Sequence, residues 1–221
     1  MDPKSWIQAQ ASLRSELIRF RREPDRTKLR SLVDHALDRY EAHYRAQTRF
    51  AKFGPVEAFN NPSATNLERA VYWLSGLRPN ILIQLLYTES GHRFEAQLSD
   101  LLNGAHSGDI GDISPAQLEK IDDLQRRTIK DEVVIDEEMG RVKESVTDPF
   151  LPSDSDLDSR LEEIKRISEE ADGLRMKTLR ALLGILDPLQ AVDLLIAIAD
   201  LEIGVRGLGL ELERNPIRLW H

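Results

Sequence analysis

The chain has no cysteine. That excludes disulfides and thiolate metal sites, and it agrees with a reducing compartment. Aromatic residues are only 6% of the total, so aliphatic side chains must do most of the packing. No stretch is long and uncharged enough to span a bilayer; the nearest, residues 189–201, is interrupted by Asp193 and Asp200. The start, Met1-Asp2-Pro3-Lys4-Ser5, has no apolar core behind a basic head, so no secretory signal is expected. Strand alternation, hairpin turns and a repeat of fixed period are also missing.

The 221 residues suffice for one large domain or two small ones, and 41% hydrophobic content supports a real core beneath a surface drawn from 31% charged residues. Net charge is −8, unevenly spread: residues 1–56 carry a balance of +5 and the remainder −13. An acidic body disfavours nucleic-acid binding. The basic first quarter is expected to pair with the acidic remainder.

Local signals predict helix throughout. Asp2-Pro3 opens a helix to about Arg22, ended by Pro24, with Trp6, Leu13, Leu17 and Phe20 at helical spacing. A second helix runs from near Asp25 to about Phe53 and is ended by Gly54-Pro55. Thr65 and Glu68 form a capping box for a third helix reaching Leu74. Ser75-Gly76 should close it, with Gly76 taking the left-handed position, and Pro79 starts a fourth, strongly apolar helix that weakens at Ser90-Gly91. Ser114-Pro115 with Gln117 opens a fifth helix towards Val146. Residues 148–156, with two prolines and three acids, read as a flexible crossover loop. Another amphipathic helix runs from Leu157 to Leu186, and Asp187-Pro188-Leu189-Gln190 starts the last, apolar on nearly every side from Ala191 to Val205. The expectation is all-α: residues 1–221 as a single antiparallel bundle of about six to eight helices with a nearly all-apolar last helix.

Reactive constellations are thin. Glu89-x-x-His92 has a di-iron spacing but lacks the second pair and the further carboxylates. Asp34, His35 and Asp38 form a polar face without a nucleophile. Residues 104–114 lack the Gly-Lys-Ser/Thr of a phosphate loop and the register of an EF-hand, and the glycines at 204, 207 and 209 follow no strand. No enzyme is expected, and no metal.

The string Trp73-Leu74-Ser75-Gly76-Leu77-Arg78-Pro79 resembles the Trp-Leu-x-Gly-x-Arg-Pro signature of the delay-of-germination (seed dormancy control) domain. That domain occurs alone in plant regulators and behind the basic leucine zipper of TGA-type transcription factors. The resemblance also takes in Trp6-Ile7-Gln8 with Leu13, Leu32-Val33-Asp34-His35, His43-Tyr44, Leu124-Gln125, Ala171-Asp172-Gly173-Leu174-Arg175, Thr178-Leu179 and Gln190-Ala191. Gly108 to Pro115, followed by Gln125-Arg126-Arg127-Thr128, is similar to stand-alone members tied to abscisic-acid and salt responses.

The resemblance implies a non-enzymatic regulatory domain of nucleus or cytoplasm that binds proteins: transcription factors, co-regulators or type 2C phosphatases. No basic region precedes Trp6, so direct DNA binding is not expected. A second reading is a ligand-sensing bundle holding a fatty acid or similar apolar molecule, with Arg78 at its head and Trp73, Leu82 and Leu86 alongside. A third is a calmodulin target in the first helix, where Ile7 and Phe20 are thirteen apart and Trp6 adds an aromatic anchor. Some family members are linked to haem through two histidines one turn apart in the last helix; Glu202 and Arg206 stand there, and neither is a usual haem ligand. Long apolar helices also lead one to expect a homodimer.

Overall fold

The computed structural model describes residues 3–22, 25–51, 63–103, 107–146 and 154–215. Within them seven helices run α1 (Pro3–Phe20), α2 (Arg26–Ala51), α3 (Asn66–Val71), α4 (Pro79–Leu102), α5 (Pro115–Val146), α6 (Asp154–Ile185) and α7 (Pro188–Arg214), with one 3-10 turn at Ile110–Asp112. No strand occurs among them. None of these helices is long and apolar enough to cross a membrane.

The caps appear where local chemistry requires them. Thr65 and Glu68 exchange side-chain and backbone bonds at the start of α3, Ser114 and Gln117 do so before α5, and Asp187 and Gln190 do so before α7. α3 ends at Val71, short of Leu74, because Tyr72 is already extended. α4 continues through Ser90-Gly91 to Leu102. Its interior glycine has open space around it, and the apolar pattern resumes beyond it. Of the expected crossover loop, residues 148–153 lie outside the described residues. Residues 154–156 form the first turn of α6, so the loop does not extend that far. Asp154 and Ser155 are good residues for a helix start, which the loop reading overlooked. The expected end of the second helix at Phe53 and the segment holding Gly54-Pro55 likewise lie outside the described residues.

α7 lies against α1, α2, α3 and α4, and α5 pairs with α6 over most of its length. One core contains Leu13, Leu17, Ala36, Tyr40, Ile83, Leu86, Ile121, Leu182, Leu194 and Leu195. A second, smaller core of Ile135, Met139, Val142, Ile167, Ala171 and Leu174 lies between α5 and α6. α7 is buried on almost every side from Gln190 to Ala199, yet it also buries Asp193, Glu202 and Arg206. These three ionisable groups organise the bundle around it.

Arg206 donates to Glu68 at 2.6 Å and to the Ser63 carbonyl at 2.7 Å, tying α7 to α3. Asp193 accepts from Arg21, just past the end of α1, and from the Ile110 N–H of the 3-10 turn. Arg14 pairs with Asp200 on the same side. Gly209 lets the α3 cap approach α7: a Cβ there would lie 2.2 Å from Thr65 Oγ1. Gly209→Ala should therefore destabilise the fold by about 1–3 kcal/mol, the usual cost of overpacking. A fall in the urea midpoint, with the slope unchanged, is the measurement that checks it.

Candidate functional site: an arginine-clamped turn

The signature segment forms a tight turn between α3 and α4. Trp73 N–H donates to the Gly76 carbonyl at 2.7 Å, and Gly76 N–H returns a bond to Trp73 at 3.1 Å. The two central residues take positive φ, 47° at Leu74 and 70° at Ser75. This is the pattern of a type I′ turn, which normally selects Asn-Gly. The left-handed positions are thus Leu74 and Ser75, whereas the sequence reading assigned that role to Gly76. A leucine in that region costs roughly 1–2 kcal/mol, so the surroundings must impose it.

Arg175 of α6 imposes it. Its side chain is 1% exposed. Nε donates to the Leu77 carbonyl at 2.8 Å, Nη2 to Leu74 at 3.0 Å and also to Trp73, and Nη1 to Asp172. Three carbonyls that the turn leaves without helix partners are thereby satisfied by one rigid fork of donors. The guanidinium also lies 5.4 Å from the Trp73 ring. Gly76 has a different task from the one expected: a Cβ there would stand 3.0 Å from Arg175 Nε, so only glycine lets the guanidinium sit flat on the turn. Burial pushes the Asp172 carboxyl up to about 6, against the pull of Arg175.

Arg78 closes the outer side. Nε donates to Glu132 Oε2 at 2.7 Å and Nη2 to Asp136 at 2.5 Å. Asp136 also accepts from the Trp73 indole at 2.6 Å. The second oxygen of Glu132 accepts from the Asn80 N–H at 2.6 Å, which satisfies a free donor in the first turn of α4. The Trp73 ring therefore has Arg78 within 5.2 Å and Arg175 within 5.4 Å.

These positions bear on each expected site residue. Arg78 has its donors on two carboxylates, so it does not stand as an anion receptor. Leu82 and Leu86 are buried in the main core. In α1, Leu13 and Leu17 are buried; Trp6 stacks on His43 at 3.7 Å between centroids, Phe20 packs on the core, and Ile7 is half-buried. The apolar face that a calmodulin-type partner would grip is thus the face docked on α2 and α7. Glu202 and Arg206 do not fit haem: Arg206 is bound to Glu68, and Glu202 sits in a polar pocket beside Trp6. His92 is exposed, as are Asp34, His35 and Asp38. No group of three or more metal-ligating His, Asp or Glu side chains occurs among the described residues.

The sequence reading missed Arg175 as the centre of the site. A detectable signal existed: an arginine on the apolar stripe of Leu174 and Leu179, one turn after Asp172. A cleft of about 530 Å³ opens elsewhere, between α1, α4 and α7. Ile18, Leu85, Ile110, Ile196 and Leu201 line its apolar side, and Arg22 and Arg93 also border it.

Fold and turn together define an all-α bundle whose signature segment is an internal clamp. The model of the seed dormancy control (DOG1) family matches residues 9–88, from α1 through the clamped turn into α4. The chain is 26% identical to Protein DOG1-like 3 of Arabidopsis thaliana, over 92% of this chain and 81% of that protein. It is 28% identical to Protein DOG1-like 2 of the same plant, over 82% of this chain and 77% of that one. It is also 24% identical to the TGACG-sequence-specific DNA-binding protein TGA-1A of Nicotiana tabacum, over 90% of this chain but only 54% of that protein.

Arg175→Ala should cost about 3–5 kcal/mol, because it removes a buried, multiply bonded charge and takes a donor from three carbonyls, of which Trp73 alone keeps another, the Gly76 N–H. Arg78→Ala should cost about 1–2 kcal/mol less than that, since solvent reaches Asp136 and Glu132 keeps the Asn80 N–H. Denaturant titration of the two variants side by side tests that order.

Proposed function

We propose that the chain is a regulatory domain, not an enzyme, and that it acts by binding other proteins in the control of transcription, dormancy and abscisic-acid or stress signalling. The observation that carries this reading is the relationship itself. The same bundle accounts for about half of a DNA-binding relative and most of the DOG1-like ones. With a net charge of −8, this chain opposes a phosphate backbone, so the part it shares with TGA factors is assigned to protein contact. The partners are transcription factors, co-regulators or type 2C phosphatases, met in the nucleus, with a cytoplasmic pool.

The contact face we favour is the outer flank of α5, where Ile129, Val133 and Val134 are 41%, 45% and 54% exposed. Three neighbouring branched apolar residues on a helix otherwise rich in charge suit the apolar centre of an interface. A second reading, an apolar-ligand sensor, is favoured by the cleft between α1, α4 and α7 rather than by Arg78. Its volume, about 530 Å³, is that of a small-molecule site. Native mass spectrometry of the purified chain separates the two, since retained lipid supports the sensor.

Co-precipitation with TGA-type factors and type 2C phosphatases tests the main reading. Capture should weaken about tenfold or more in the Val133→Glu, Val134→Glu double variant, with helical circular dichroism unchanged. A salt-sensitive gel shift by the chain alone would contradict the protein-binding assignment.

A further inference from the structure

Buried polar atoms are normally partnered. One region between α1, α2 and α7 departs from that rule. Nδ1 of His43 and Oε2 of Glu202 are buried with no hydrogen-bond partner among the described residues, and the Gln10 amide and Tyr40 hydroxyl, buried beside them, have at most each other. Gln10 is 1% exposed, Tyr40 2%, Glu202 6% and His43 7%. Trp6 of α1 is their common neighbour. Its ring stacks on His43 at 3.7 Å and meets the Tyr40 edge at 5.2 Å, and its indole hydrogen-bonds the Glu202 carboxyl.

Among the described residues Glu202 has no counter-ion there. Tyr40 and Tyr44 face it from α2, with His43 between them in sequence, and Tyr72 faces it from the segment after α3. Glu68 and Arg206 act with opposite sign on Tyr72, and Asp172 and Arg175 act with opposite sign on Tyr44. The chain's α-amino group acts on His43, and three arginines of the described residues in this region are committed elsewhere. Arg39 donates to the Ala9 carbonyl at 2.7 Å, Arg175 holds the turn and Asp172, and Arg206 holds Glu68 at 2.6 Å. A carboxylate in such a place would be a buried, unpaired charge.

We propose that Glu202 is a proton-operated latch for helix α1. Protonated, it is neutral and keeps Trp6 and Gln10 seated; ionised, it must be hydrated, and lifting the Trp6 end of α1 admits water to it. α1 is the element suited to move. Its links to α7 on the far side are the Arg14–Asp200 and Arg21–Asp193 pairs, which lie two and four turns beyond Trp6 and can act as a hinge.

The direction of pH dependence follows from the two titrating groups. Burial pushes the Glu202 carboxyl up to about 8 from an ordinary 4.5. Docking of α1 therefore binds a proton, and its advantage is full below about 4.5 and lost as pH rises through about 8. Burial lowers His43 from 6.5 to about 3, so its contribution is present above 6.5 and lost as pH falls through about 3. Of these two groups it is Glu202 that changes between about 6.5 and about 8, and α1 should loosen with rising pH.

Hydrogen exchange of the α1 amides, corrected for the intrinsic pH dependence of exchange, tests the latch on the full chain. Protection of residues near Trp6 should fall by up to about tenfold per pH unit from about 6.5 to about 8 and then level off. Glu202→Gln should hold it flat. A flat wild-type profile, or an equal slope in Glu202→Gln, overturns the proposal. Infrared spectra of the unaltered chain give a check that needs no variant. A protonated-carboxyl band present at neutral pH and lost near the pH at which α1 protection levels off supports the latch, and its absence at neutral pH refutes it.

Discussion

One buried guanidinium decides the geometry of this bundle. Arg175 reaches from α6 to three carbonyls of the turn between α3 and α4, and the turn could not hold Leu74 and Ser75 at positive φ without it. The same contact explains why Gly76 has no side chain, and it sets the Trp73 ring where Asp136 can take its indole proton. Since Asp136 and Glu132 also hold Arg78, the turn couples α4, α5 and α6 through one hydrogen-bonded unit. Seven residues that look like a recognition motif thus serve first to join three helices.

The last helix shows the complementary use of charge. Asp193 and Arg206 are buried and answered, one by Arg21 just past α1 and the other by Glu68 of α3. Glu202, between them in sequence and equally buried, is answered only by an indole. In a low-dielectric interior the first two arrangements fix neighbours in place, while the third leaves a group whose charge state and position are linked. Adjacent turns of one helix therefore supply both rigid joints and a titratable one.

Much of the fold was legible in the residues. The boxes at Thr65-Glu68, Ser114-Gln117 and Asp187-Gln190 and the prolines at 79, 115 and 188 mark helix starts, because a cap is satisfied within three or four residues. Less of the site was legible. Gly76 was given the left-handed role because glycine is the usual occupant, yet the tertiary contact with Arg175 placed that strain on Leu74 and Ser75. Arg78 suggested an anion receptor because its carboxylate partners lie 54 and 58 residues away.

The sequence by itself determined the helical class, the spacing of the apolar stripes, most helix starts and the family signature. Each of these is a local property of the chain, set by caps, φ limits and a 3.6-residue period. Only the tertiary structure decided which polar residues became joints, since Arg175 meets Leu77 across 98 positions and Arg206 meets Glu68 across 138. A side chain's pairing, and with it the charge a buried group can keep, depends on neighbours that only packing supplies.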